Sequence, residues 1–193
     1  MKASYAVALG AKLAAGLSSP QVSREPVVGD GADADRILDA QKLLAEGRGF
    51  AKLSEIYNDV FERGYSPRAG QGLMYTPLAR MNARYAESTL WLYAPQDLGD
   101  TARKNDWATH SADGLEWIIE RDATTAGMVE RFHTDPTYET RPVALFLTCT
   151  PPGLRRAYYF AGLYSPDHLH DERGPHITWR RYATRMPVFP YEG

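Results

Sequence analysis

The chain changes its hydrophobic period part-way along, and that change limits what it can fold into more than any other feature. From residue 50 to 61 the apolar side chains recur at helical spacing: Phe50, Leu53, Ile56, Tyr57, Val60 and Phe61 share one face, with Lys52, Glu55, Asp59 and Glu62 opposite. From Pro142 onward the spacing becomes extended. Val143 to Thr148 is apolar on both faces, Pro151, Pro152 and Gly153 turn the chain, and Ala157 to Tyr164 is a second run rich in tyrosine and phenylalanine. His176 to Tyr182 follows, with Ile177, Trp179 and Arg181 alternating against Thr178, Arg180 and Tyr182. Helices first and strands afterwards predict an α+β fold, with N-terminal helices packed on a small, mostly antiparallel β-sheet or barrel.

Local signals fill in the rest. Asp33 or Asp35 caps a helix that carries Ile37, Leu38, Gln41 and Leu44 and ends at Gly47 and Gly49. Gly64 stops the helix of residues 50–61. Pro77 opens a third helix, to Ser88, carrying Leu78, Met81, Tyr85 and Ala86. Leu90 to Tyr93 reads as a buried strand stopped by Pro95, and Ser111 as the cap of a helix with Leu115, Ile118, Ile119 and Asp122. Residues 18–32 hold two prolines and two glycines and read as a linker. This divides the chain into a flexible or helical N-terminal arm, residues 1–32, and a single α+β domain, residues 33–193, helical over 33–88 and β-rich over 89–193.

A length of 193 residues supports one good core, and 44% apolar with 24% charged residues is an ordinary globular balance. The formal charge of -2 argues against attachment to nucleic acid or membrane by bulk electrostatics. The charge is uneven, however: residues 141–193 hold 7 basic and 4 acidic side chains, which marks where an anionic partner would sit. Cys149 is the single cysteine, so no intramolecular disulfide and no cysteine-rich zinc site is expected. The opening MKASYAVALGAKLAAGL has a leader-like apolar stretch, but Lys12 and the glycines interrupt it, and the expected location is the cytoplasm, with no membrane span.

Motifs with known chemistry are mostly incomplete. Asp167, His168, His170, Asp171 and His176 are dense enough for a divalent cation, and HLHDERGPH is similar to the H-x-H-x-D-H of metallo-β-lactamase-like hydrolases. Yet the aspartate comes one place early and the second histidine is displaced, so the segment is expected to be a solvated turn with no metal. His176-Ile-Thr178 is one of the two H-x-T triplets of two-histidine phosphodiesterases, and neither His110 nor His133 supplies the second. Cys149 has no neighbouring base in sequence and is expected to be a buried thiol. The glycines of GYSPRAGQG, residues 64–72, lack both the Walker lysine and the dinucleotide-binding spacing, so a mobile loop is expected and no cofactor.

What remains is a concentration of aromatics and arginines near the C-terminus: Tyr158, Tyr159, Phe160, Tyr164, Trp179, Arg180, Arg181, Tyr182 and Arg185. Aromatic faces stack on unpaired bases and guanidinium pairs with phosphate; packing alone also favours aromatics in strands, and for any single ring the core is the competing explanation. The order Arg141-Pro-Val-Ala-Leu-Phe-Leu-Thr148, Tyr158-Tyr-Phe-Ala-Gly-Leu-Tyr164 and Ile177-Thr-Trp-Arg180 resembles the end of the PUA- and SRA-like β-barrels, in particular the barrel appended to some restriction helicases. The resemblance covers about 50 residues. It implies a PUA-like barrel that recognises modified or flipped bases, with the segment from Asp106 and Trp107 to Trp117 as a further wall. The expected ligand-binding set is therefore Trp107, Trp117, Tyr159, Tyr164, Trp179, Arg180 and Arg181, and the expected partner DNA or RNA. Two other classes stand beside it: a small hydrolase using His168, His170 or His176 with Asp167 or Asp171, and an assembly subunit whose aromatic surface docks a protein partner.

Overall fold

Val143 to Cys149 is a run in which Val143, Ala144, Leu145, Phe146, Leu147 and Cys149 are all buried, and a strand covered on both faces is what such a continuous apolar run requires. It lies inside a computed structural model that describes residues 2–18, 36–62, 76–88, 91–94, 105–107, 116–119, 142–171 and 174–192. In chain order the strands among them are β1 (Arg36–Asp39), β2 (Thr76–Pro77), β3 (Trp91–Tyr93), β4 (Asn105–Trp107), β5 (Glu116–Ile119), β6 (Val143–Cys149), β7 (Ala157–Asp171), β8 (Gly174–Ala183) and β9 (Arg185–Val188). The described helices are α1 (Lys2–Ser18), α2 (Ala40–Ala45) and α3 (Leu53–Glu55), which runs on as a π-helical turn, Ile56–Val60. Seven strands form one sheet in the order β2-β3-β6-β7-β8-β5-β4, antiparallel at every pairing except β3 with β6. β1 and β9 form a separate antiparallel pair. The fold is α+β, helices on a mostly antiparallel sheet, and no described pairing closes the sheet into a barrel.

Helix α1 puts Ala6, Leu9, Leu13 and Leu17 at helical spacing, all buried, in the same core as the sheet. Its approach is close: a Cβ on Gly10 would stand 2.3 Å from the Thr150 carbonyl carbon, and the Thr150 amide donates to the Ala6 carbonyl at 2.9 Å. Phe50, in a β-bridge with Tyr158 just before α3, and Leu53, Ile56, Tyr57, Val60 and Phe61, on α3, its π-helical turn and the residue after it, are buried as their spacing predicts. Phe50 meets Phe146 edge-on at 5.9 Å, and Phe146 meets Phe160 at 5.2 Å, tying this face to the central strands.

Three expectations need correction. Ile37 and Leu38 are in a strand, paired with Pro187 and Met186, because β9 offers them a partner; the helix starts only at Ala40, with Asp39 as its cap accepting from the Lys42 amide at 3.0 Å. The helix expected from Pro77 to Ser88 is two 3-10 turns, Leu78–Arg80 and Ala83–Ser88; Leu78, Met81 and Tyr85 are nonetheless buried. The helix expected after Ser111 is replaced at Glu116–Ile119 by β5, where a place beside β8 outweighs helical spacing. Asp33, Asp35, Gly64, the 64–72 loop, His110 and His133 lie outside the described residues.

Buried acids give the core a pH signature, Cys149 and Tyr85 among them. Burial pushes the Cys149 thiol and the Tyr85 phenol each up to about 12, although the Phe189 amide donating to the Tyr85 hydroxyl at 2.7 Å opposes the shift. Both values lie above those of an unfolded chain, about 9 and 10, so the unfolded state loses these protons first as pH rises. Stability is therefore expected to be unaffected by these groups below about pH 9 and to fall between about pH 9 and 12, by about 1.4 kcal/mol per pH unit for each group while it titrates only in the unfolded chain. Urea midpoints at pH 8, 10 and 11 check this. Unchanged midpoints would show that neither group is held neutral by the fold.

Candidate nucleic-acid interface

The sheet brings distant tryptophans into one row. Trp107 of β4 is the Cα partner of Trp117 of β5, and Trp117 is the Cα partner of Trp179 of β8. Adjacent strands lie about 4.8 Å apart, so three tryptophan positions from across more than 70 residues of sequence are consecutive neighbours. The next row joins Glu116, Arg180 and Ser165, and the one on the other side Ile118, Thr178 and His168.

Burial divides the expected ligand-binding residues. Tyr159, Tyr164, Trp179 and Arg181 are buried, whereas Arg180 is exposed; the side chains of Trp107 and Trp117 are outside those described. Tyr159 donates its hydroxyl to the Arg155 carbonyl at 2.7 Å, and desolvation raises its pKa. Its ring and that of Tyr164 act as core, because strands covered by helices leave an inward ring no free face. The solvated turn expected of the segment from His168 to His176 is instead mostly strand: β7 runs to Asp171, pairing His168 with Thr178 and His170 with Pro175. The backbones of the histidine–aspartate group therefore lie on the outer part of the β7–β8 hairpin.

Arg181 is the unusual member. It is only 4% exposed, and its Nη2 donates to the carbonyl of Gly16 in the last turn of α1. Such a carbonyl has no partner within its own helix, and a cation there is also favoured by the helix dipole. Among the described residues its Nε and Nη1 have no hydrogen-bond partner, and neither does the hydroxyl of neighbouring Tyr182, whose pKa burial raises. Room for the stem comes from Gly162, where φ is +117° and an added Cβ would meet the Arg181 Cδ at 2.9 Å. Trp179 lies two residues before Arg181 on β8, so strand alternation puts both on one face and Arg180 on the other.

A pocket of about 130 Å³ between β1, α2 and the π-helical turn includes Arg36, Asp39, Lys42, Glu46, Arg48 and Asp59. Several of these charges are engaged in the fold. Arg36 donates to the Val60 carbonyl and pairs with Glu62 at 3.3 Å, and Asp39 caps α2 and pairs with Arg185 at 3.5 Å. Elsewhere the turn between β6 and β7 presents Arg155 and Arg156, both exposed, which no sequence motif singles out. The local basic excess of residues 141–193 is the signal that could have found them.

No family model matches the chain, and no curated protein matches it. Among solved structures it is similar to the 5-hydroxymethylcytosine-specific restriction enzyme AbaSI, at 17% identity and a TM-score of 0.49. That alignment covers 80% of this chain and 46% of the enzyme, so the chain spans a little under half its length.

Proposed function

We propose that the chain is a nucleic-acid-binding module that takes an unstacked base on the β4–β5–β8 side of its sheet. Arg181 carries this reading. A buried guanidinium with no carboxylate beside it among the described residues is costly, by several kcal/mol, and two of its nitrogens lack acceptors there. Base edges and phosphates are acceptors of the kind those N–H groups need, and an inserted base would complete them while stacking on Trp107 and Trp117. Trp107 and Trp117 are the proposed stacking residues, Arg181 the proposed donor to the base, and exposed Arg180 the proposed phosphate contact. Tyr159 and Tyr164 support the strand from within.

The test is a fluorescence-anisotropy titration with single-stranded and duplex oligonucleotides, with and without modified cytosine, at two salt concentrations. Binding is expected to weaken with salt and to differ between cytosine and its modified form. Arg180→Gln is expected to weaken all oligonucleotides alike. Arg181→Met, which keeps the buried volume, is expected to reduce the preference between bases by roughly tenfold, the scale of one good base contact. Flat titrations of the folded protein at low salt would remove the reading.

A further inference from the structure

We propose that the free edge of β1 is a docking site for an extended segment of a protein partner, which adds to it as a further strand and places an apolar side chain in the cavity beside it. The ladder between β1 and β9 fixes which main-chain groups are left over. The Ala40 amide donates to the Thr184 carbonyl at 2.9 Å, and in an antiparallel register hydrogen-bonded pairs alternate with pairs that make no bonds. Arg36 with Val188 and Leu38 with Met186 are therefore the bonded pairs, and Ile37 with Pro187 and Asp39 with Arg185 are not. Pro187 agrees with this, since it has no N–H to give and a strand proline belongs where its nitrogen faces away from the ladder. The amide and carbonyl of Ile37 and the amide of Asp39 thus point away from β9. Among the described residues no strand pairs with β1 on that side, and no hydrogen bond reaches those groups.

What lies along this edge specifies the occupant. Ile37 is 42% exposed, large for an aliphatic side chain in a strand. The cavity of about 130 Å³ touches all four residues of β1, whose side chains point alternately to two faces, so it runs beside the strand and not over one face of it. Leu43, Phe50 and Val60, all buried, supply apolar lining. A cavity of roughly 150 Å³ takes one benzene molecule, so this one takes a single side chain of leucine or phenylalanine size. Three basic and three acidic residues also line it, a balance that gives a polyanion no hold. A peptide main chain matches the edge instead. It offers a carbonyl to the Ile37 amide and an amide to the Ile37 carbonyl, and its alternate side chains cover Ile37 and enter the cavity. Affinity then comes from the main chain and selectivity from the cavity. β1 belongs to the two-stranded sheet and not to the sheet proposed to take the base, so the inference goes beyond that reading and does not rest on it.

The experiment records amide NMR spectra of the whole chain while blocked hexapeptides are added, each alternating threonine with leucine, phenylalanine or serine, together with a fully N-methylated form of the leucine peptide. The leucine and phenylalanine peptides are expected to shift the Ile37 and Asp39 amides and to bind roughly tenfold more tightly than the serine peptide, the scale of burying one large apolar side chain. The N-methylated form, which has no donors, is expected not to bind. Ile37→Pro removes the outward donor and keeps the ladder, as Pro187 does across from it, and is expected to abolish the peptide-induced shift at Asp39 while leaving oligonucleotide titrations unchanged. Should that variant fail to fold, the N-methylated peptide makes the same test on the wild type. Peptides that leave the Ile37 and Asp39 amides unmoved at millimolar concentration, or that bind as well when N-methylated, overturn the proposal. So do shifts at these amides that grow with protein concentration alone, which assign the edge to a second copy of the chain, and shifts there on adding single-stranded oligonucleotide, which assign it to nucleic acid.

Discussion

Phe146→Ala is expected to reduce the unfolding free energy by about 4 kcal/mol, within the usual range for removing a buried phenylalanine. Phe146 has no exposed surface, and its ring is held between Phe50 and Phe160. The substitution loses transfer energy and leaves a void, because its backbone belongs to the central strand and the neighbours are held by β7 and by the Phe50–Tyr158 bridge. For a chain of this size the loss corresponds to a fall in Tm of roughly 12 °C. Urea titration and calorimetry would both register it. A loss below about 1 kcal/mol would mean that β6 is not covered on both faces.

The same strand shows what can be read from sequence and what cannot. Val143 to Cys149 is recognisable as buried strand because its run of seven residues has no polar side until Thr148, and the Pro-Pro-Gly turn after it fixes the direction of β7. The buried stripe from Phe50 to Phe61 is legible for the same reason: packing decides it residue by residue. Ile37, Leu38 and Glu116 to Ile119 are not legible, because each segment's state is set by a partner strand far along the chain, β9 in one case and β8 in the other. Local spacing carries no record of those partners.

The candidate site divides along the same line. A tyrosine or tryptophan in a strand is equally suited to core or ligand, so composition can single out Tyr159, Tyr164 and Trp179 without telling that they face inward. The tryptophan row depends on the register of β4, β5 and β8, and the unsatisfied nitrogens of Arg181 depend on where α1 ends. Neither is a local property. What the sequence does show is the excess of basic over acidic residues in 141–193, and the exposed arginines of that segment include Arg155, Arg156 and Arg180. Electrostatic complementarity survives folding better than a side-chain role, because it needs only exposure.

Gly162→Ala is expected to cost about 4 kcal/mol and to disturb the site as well as the fold. At φ of +117° an L side chain strains the backbone, which contributes about 1–3 kcal/mol. The new methyl would also stand 2.4 Å from the Ala183 carbonyl oxygen, a backbone atom fixed within β8, and 2.9 Å from the Arg181 Cδ, adding about 1–3 kcal/mol of overpacking. Gly153→Ala separates the two contributions. Gly153 also has positive φ, +75°, but nothing lies within 4 Å of an added Cβ, so about 1 kcal/mol of backbone strain is its whole expected cost. In urea titrations Gly162→Ala should therefore lose several times what Gly153→Ala loses. Among molecules that remain folded, it should also weaken discrimination between bases, because the shifted stem carries the Arg181 guanidinium with it. Equal losses in the two variants would show that β8 yields to the methyl and that Gly162 does not set the position of Arg181.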